Sequence, residues 1–426
     1  MFGDLEPLRI GEAFFVTHGK AAVAGTETTF VDLSSDEQIR TDLPAAGWPV
    51  FGQFVAHDLT ADRSRLAARA DPGELANART PRLNLETVYG LGPGDQPYLM
   101  QRGSPSLLLI GGDAEHPDLP RNQQGVALIG DPRNDVHGLM ARMQLAFLQV
   151  HNALVQRHEA AGAGEEQCFE LARRDLRWHF QWIVVHEFLD LSVGPELAAA
   201  TRAGDRPHFR PDGELLLPVE FADAAFRFGH SQVRDHYRLH PDGPPHSLFP
   251  DLSGFRAIVD RPVDWSMLFD MPGSPPAPQR AKAIDGRLVP SLIHLPLEVT
   301  GALDSEEQQS LAVRDLQRGL ATGLPSGEAI ARRIGARVLD ADEIGVAHLG
   351  WEGETPLWYY LLKEAEILHA GRQLGPVGGC IVAEVLTAVV ADDPDSYINA
   401  EPGWTPTLPH EGDFTLGDLL SVAGRR

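Results

Sequence analysis

Two segments of this 426-residue chain carry reactive side chains at positions where a packed helix would be expected to stay apolar. In GWPVFGQFVAHDLT, Gln53 and His57 stand four apart, which puts them on one face of a helix and directs them into the same space. A polar pair on an otherwise apolar helix is costly to bury unless it has work or partners. Downstream, Arg133 lies in ALIGDPRND, and His230 lies in DAAFRFGHSQV, which also reads as helix. An imidazole can exchange protons or bind a metal, and a guanidinium can stabilise negative charge. Taken singly, each has a plain structural use as well: Gln53 as a turn cap, Arg133 as a partner of Asp131 or Asp135, His230 as a core histidine.

Other motifs lose their chemistry on inspection. HEFLD at 186–190 begins like a zinc-protease helix, but Asp190 stands where the second histidine is needed, and no GxSxG nucleophile elbow occurs. Gly90, Gly92 and Gly94 lack the spacing of a dinucleotide fingerprint, and Gly19-Lys20 is followed by Ala21 where a phosphate loop needs Ser or Thr. Cys168 and Cys380 form no CxxC and no disulfide framework.

The elements that must position the first set are mostly helices. Phe51, Phe54, Val55 and Leu59 recur at helical spacing from Gly47 onward, and a long helix is predicted over 137–161 from Leu139, Met143, Phe147, Val150 and Leu154. Further helices are expected at 168–190, 221–233, 307–320, 356–369 and 378–391, with proline-rich connectors between them; LLLI at 107–110 is the best strand. Without a repeat or a low-complexity linker, the chain reads as an irregular arm over 1–46 and one mainly α domain over 47–426, with long loops and very little β. The length alone allows roughly three domains.

Composition narrows the function. At 43% hydrophobic and 23% charged the chain is globular, and no apolar stretch approaches the roughly 20 residues of a spanning helix. A net charge of −24 repels phosphate backbones and anionic membranes, which argues against nucleic-acid partners. The first residues show no basic run followed by an apolar one, so a cytoplasmic protein is expected.

Taken together, the segments resemble the animal-type haem peroxidases of the peroxidase-cyclooxygenase superfamily, and in order and spacing its bacterial members. The resemblance runs from about Trp48 to about Leu420 through GQFVAHDLT, NARTPRLNLETVYG, DLPRNQQGVALIGDPRND, AAFRFGHS, LQRGLATGLPSG, TPLWYYLLKEAEIL and LGPVGGCIVAEVL. It implies that His57 is the distal histidine, Arg133 the distal arginine, Gln53 the distal glutamine and His230 the proximal ligand of haem iron. A neutral His57 would act as general base and then acid toward hydrogen peroxide, and Arg133 would stabilise the departing oxygen. Asp315, in VRDLQRG, stands where the family usually has an asparagine behind the proximal histidine, and a carboxylate there would push more electron density onto iron. Arg227 and Arg318 match arginines that face the haem propionates.

Departures from the family matter as much. The positions of the two ester-forming acids of secreted relatives are Ala56 and Val136, which implies non-covalent haem b. Asp58, Thr80, the Arg82 carbonyl, Asn84 and Glu86 match a calcium loop, but Asn84 removes a charge and Glu86 is longer than its counterpart, so calcium is implied weakly. The function implied is a peroxidase that uses hydrogen peroxide, through an oxyferryl intermediate, to oxidise small organic, halide or pseudohalide reductants. The alternatives are a haem dioxygenase or peroxygenase on a lipid or biosynthetic molecule, against which Arg227 replaces the tyrosine of radical oxygenases, and a non-catalytic haem binder. The oligomeric state is left open.

Overall fold

The computed structural model describes residues 1–10, 31–61, 77, 79–211, 213–257, 263–273, 277–300, 309–347, 351 and 353–423. Helix α1, Trp48–Leu59, buries Phe51, Phe54, Val55 and Leu59 and carries Pro49 in its first turn, where the missing N–H costs nothing. Phe54 stacks on Phe147 with ring centroids 4.5 Å apart, which fixes α1 against α2, Gly138–Ala160. The latter packs along α3, Glu165–Ile183, so Gln53 and His57 are carried on a helix whose other faces are locked by aromatic packing.

The expected helix over 168–190 does not end as a plain α-helix. One π turn, Val184–Phe188, interrupts it before Leu189–Val193 continues. That turn brings Phe188 to 5.6 Å from Phe51 and 6.1 Å from Trp48. The helix expected over 221–233 is corrected: a short α turn, Val219–Asp223, breaks at Ala224 (φ −138°, ψ −69°), and Ala225–Gln232 is a 3-10 run. Its buried residues Ala225, Phe228 and Ser231 fall at every third position, as three residues per turn requires.

Helices α4 (Pro195–Arg202), α5 (Leu311–Ala321), α6 (Gly327–Ile334), α7 (Leu357–His369), α8 (Pro376–Ala391) and α9 (Leu416–Ala423) complete the longer elements; of the helix expected from 307, residues 307 and 308 lie outside the described part. Glu364 of α7 accepts the N–H groups of Val377 and Gly378 at the start of α8, with burial pushing its carboxyl up to about 7. Strands among the described residues form two-stranded ribbons only, and the expected strand at 107–110 lies earlier, at Ser104–Leu108, paired with Met100–Gln101. The described parts of the arm fold onto the domain: Phe2 is buried, its N–H donates to Glu220, and Asp32–Leu33 pairs in parallel with Arg287–Leu288.

Candidate active site

Side chains from four separate elements line one cavity of about 300 Å³: Gln53, Ala56 and His57 of α1, Arg133, Val136 and His137 ahead of α2, Arg227 and His230 of the 3-10 run, and Arg314 of α5. Apolar walls come from Trp48, Phe188, Phe226, Leu292, Leu295 and Val299.

On the α1 side, His57 Nδ1 lies 2.7 Å from Asn134 Oδ1. Burial, aided by the charge of Arg133, pushes the His57 pKa down to about 3, so the ring is neutral at neutral pH. Arg133 is fixed by its own neighbours: Nε and Nη2 bond both oxygens of Asp131 at 3.0 and 2.7 Å, and Nη2 also donates to the carbonyls of His57 and Thr60. Burial works against ionisation of Asp131, but Arg133 and Arg79 outweigh it and hold that carboxyl well below the usual range. Gln53 Oε1 is 2.9 Å from His137 Nε2, while His137 Nδ1 accepts the Met140 N–H. His137 Nε2 therefore donates, and Gln53 keeps its amide N–H groups for the cavity. Burial keeps His137 neutral, with its pKa near 4.

On the opposite run of sequence, the three-residue period stacks Arg227 and His230 on one side of the 3-10 turn, and both reach Asp315. His230 Nδ1 is 2.6 Å from Asp315 Oδ2, and Arg227 Nη1 is 3.2 Å from Asp315 Oδ1. Burial raises the Asp315 pKa, but His230, Arg227 and Arg318 outweigh it and leave the carboxyl below its ordinary value. His230 Nδ1 is thus engaged, and Nε2 is the nitrogen available to the cavity. A neutral imidazole with its other N–H held by a carboxylate, among apolar walls and arginines, suits haem iron. Neither Ala56 nor Val136 offers a carboxyl for a tether. Arg318 does not line the cavity; it donates to Asp223 at 3.1 Å.

The loop compared above with a calcium site is arranged differently. Both Asp58 oxygens accept hydrogen bonds, from Leu85 N–H at 2.9 Å and from Thr87 N–H and hydroxyl at 3.2 and 3.3 Å. Leu85 takes a left-handed backbone (φ +60°) to aim that N–H, a strain of about 1–2 kcal/mol for a side-chain-bearing residue. Asn84 turns its amide N–H to Glu86, and the Arg79 guanidinium lies 3.5 Å from Glu86 and 2.6 Å from Asp131. Arg82 pairs with Asp393 at 3.3 Å, and Thr80 contributes its carbonyl to the Arg82 N–H. N–H donors and a guanidinium thus already engage the Asp58, Asn84 and Glu86 oxygens of that set, an arrangement that fits a calcium ion poorly.

Sequence reasoning missed His137, Asn134, Gln144, Arg79 and Arg314. For Arg314 the available signal was its position four before Arg318, one helical turn away. The others carry no periodic signal.

The animal haem peroxidase family model matches residues 59–326, which include Arg133, His230 and Asp315 and stop short of Gln53 and His57. The chain is 26% identical over 377 residues to thyroid peroxidase of Mus musculus, covering 75% of this chain and 38% of that protein. It is 31% identical over 124 residues to heme peroxidase 2 of Caenorhabditis elegans, covering 27% of this chain and 17% of that one. The chain thus spans well under half the length of these relatives. Among solved structures, peroxidase A from Dictyostelium discoideum superposes with a TM-score of 0.69 at 14% identity, over 99% of this chain and 93% of that one. A fatty acid alpha-dioxygenase of Arabidopsis thaliana gives 0.60 at 14% identity, over 99% and 74%; at such identities the likeness is one of fold. With the match covering more than half of its length, the chain belongs to the animal haem peroxidase family.

Proposed function

We propose that the chain is a hydrogen-peroxide-dependent oxidoreductase that binds haem b without covalent tethers and draws electrons from a small organic, halide or pseudohalide reductant. The observation that carries this reading is the shared cavity, in which a neutral His57 and a fixed Arg133 line the same space as a carboxylate-backed His230. His230 Nε2 would hold the iron, and Arg227 and Arg314 supply positive charge for the propionates. Haem, when bound, supplies the redox centre. The chain's own part is proton and charge handling: His57 Nε2 takes a proton from one peroxide oxygen and returns it to the other, while Arg133 stabilises negative charge on the departing oxygen. Such a pair is superfluous for a protein that merely stores haem.

Calcium has no part in this reading, because N–H donors and Arg79 already satisfy Asp58 and Glu86. No described helix is long and apolar enough to cross a membrane. Stopped-flow mixing of the haem-loaded chain with peroxide is expected to shift the Soret band within seconds, with guaiacol or iodide restoring it; an unresponsive band would remove the proposal. Acid–acetone should extract the haem completely, since Ala56 and Val136 cannot form esters. The fold likeness to fatty acid alpha-dioxygenases supports a second reading, oxygen insertion into a lipid, which isotope-labelled oxygen in a product would reveal.

A further inference from the structure

We infer that the hydrogen on His57 is set from outside the cavity by the chain Thr87, Gln144, Asn134, which makes Asn134 and Gln144 positioning residues for the peroxide step. This rests on the peroxidase reading above only for its kinetic part.

The argument runs from the main chain inward. The Thr87 carbonyl can only accept, and the Gln144 amide lies 3.1 Å from it through Nε2. Turning that amide over would oppose two oxygens, so Gln144 donates there and presents Oε1 on its other side. Oε1 is 2.7 Å from Asn134 Nδ2, which must therefore donate, leaving Asn134 Oδ1 toward the cavity. Oδ1 is 2.7 Å from His57 Nδ1 and can only accept. The proton of the neutral ring then sits on Nδ1, and Nε2 carries the lone pair. Asn134 and Gln144 are both 0% exposed, so no water can take over either bond if an amide turns.

The consequence is chemical. With the proton on Nε2, His57 would meet peroxide as a donor and could not take its proton. The relay spans three elements, the turn at Glu86–Tyr89, α2 and the 3-10 turn Pro132–Asp135, so one backbone carbonyl decides which ring nitrogen works. The same 3-10 turn holds Arg133, so the base and the cation are placed by one short segment.

Histidine-¹⁵N NMR of the haem-free full chain tests the assignment directly, with the His57 signals identified by their loss in His57→Gln. The expected result is a pyrrole-type Nδ1 and a pyridine-type Nε2 at neutral pH. Asn134→Leu should give a mixture of tautomers and slow the second-order reaction of the haem-loaded chain with peroxide by about tenfold or more. Asn134→Asp made together with Gln144→Leu retains an acceptor for His57 Nδ1 and sets no oxygen against the new carboxylate, so this Asp variant should keep both the tautomer and, within a few-fold, the rate. Gln144→Leu should mix the tautomers as well, because Asn134 is then free to turn. A pyridine-type Nδ1 in the parent chain overturns the inference. So does an Asn134→Leu variant with unchanged tautomer and rate, or equal slowing in the Asp and Leu variants, which would mark a merely structural role. The expected tautomer in a chain inert to peroxide would retain the relay and remove the peroxidase reading.

Discussion

Asp315 serves two donors at once, the His230 ring at 2.6 Å and the Arg227 guanidinium at 3.2 Å. The Arg227 contact tempers the electron density that a carboxylate lends to an imidazole, yet leaves it a stronger acceptor than an amide. Asp315→Asn is therefore expected to raise the iron reduction potential by on the order of 60 mV, a tenfold change in a one-electron equilibrium; redox titration with an unmoved midpoint would contradict this. His57 supports a pH argument at the same scale. Burial and Arg133 depress its pKa to about 3, so the proton-accepting form persists as pH falls through 6.5 and is lost only far below. The peroxide rate should stay flat from pH 8 to below pH 5; an acid limb centred near 6.5 would show that His57 is not so buried. Of these residues, His57, Arg133, His230 and Asp315 were legible as a set because each sits in a motif with a family counterpart. Asn134 and Gln144 were not, because a buried amide announces itself only by the partner it meets.

Among elements, the segment from Arg79 to Thr87 bears most directly on the site, since it grips Asp58, the residue after His57. Its grip uses the N–H groups of Leu85 and Thr87, and the same segment carries the buried guanidinium of Arg79, whose partner Asp131 also holds Arg133. Arg133 still holds Asp131 when Arg79 is lost, so Arg79→Met, which removes one charged hydrogen bond from that buried carboxylate, should cost about 2 kcal/mol of stability. Chelation with EDTA should leave the melting temperature unchanged, and adding calcium should not rescue the variant; a melting point that falls on chelation would restore a bound ion to this loop. The long helices were legible because an apolar face repeats every 3.6 residues. The 3-10 run was not, because eight residues starting from a run of Ala and Phe fit either period until the break at Ala224 is seen. The π turn left no mark either, since one inserted residue shifts the apolar face without erasing it.

For the whole molecule, a charge of −24 sets the field that any reductant crosses. Organic cations and neutral phenols should react faster than halide anions of equal driving force, and added salt should narrow the gap as the screening length falls to about 8 Å near 0.15 M. Stopped-flow rates for a cationic and an anionic donor measured against ionic strength check this; salt-independent rates for both would mean that local charge at the cavity governs approach. The length had allowed roughly three domains. The cavity argues for a single unit, because residues 53, 133, 230 and 314 line the same space.

By itself, the sequence determined what depends on local spacing: Gln53 and His57 on one helical face, the long helices, the absence of ester-forming acids at Ala56 and Val136, and the family that these motifs resemble. The tertiary structure decided what depends on partners far apart in the chain. Asn134 meets His57 across 77 residues, Gln144 meets Thr87 across 57, and Arg79 meets Asp131 across 52. Hydrogen-bond direction and ion pairing at such separations follow from how helices pack, and packing has no period that a linear sequence can display.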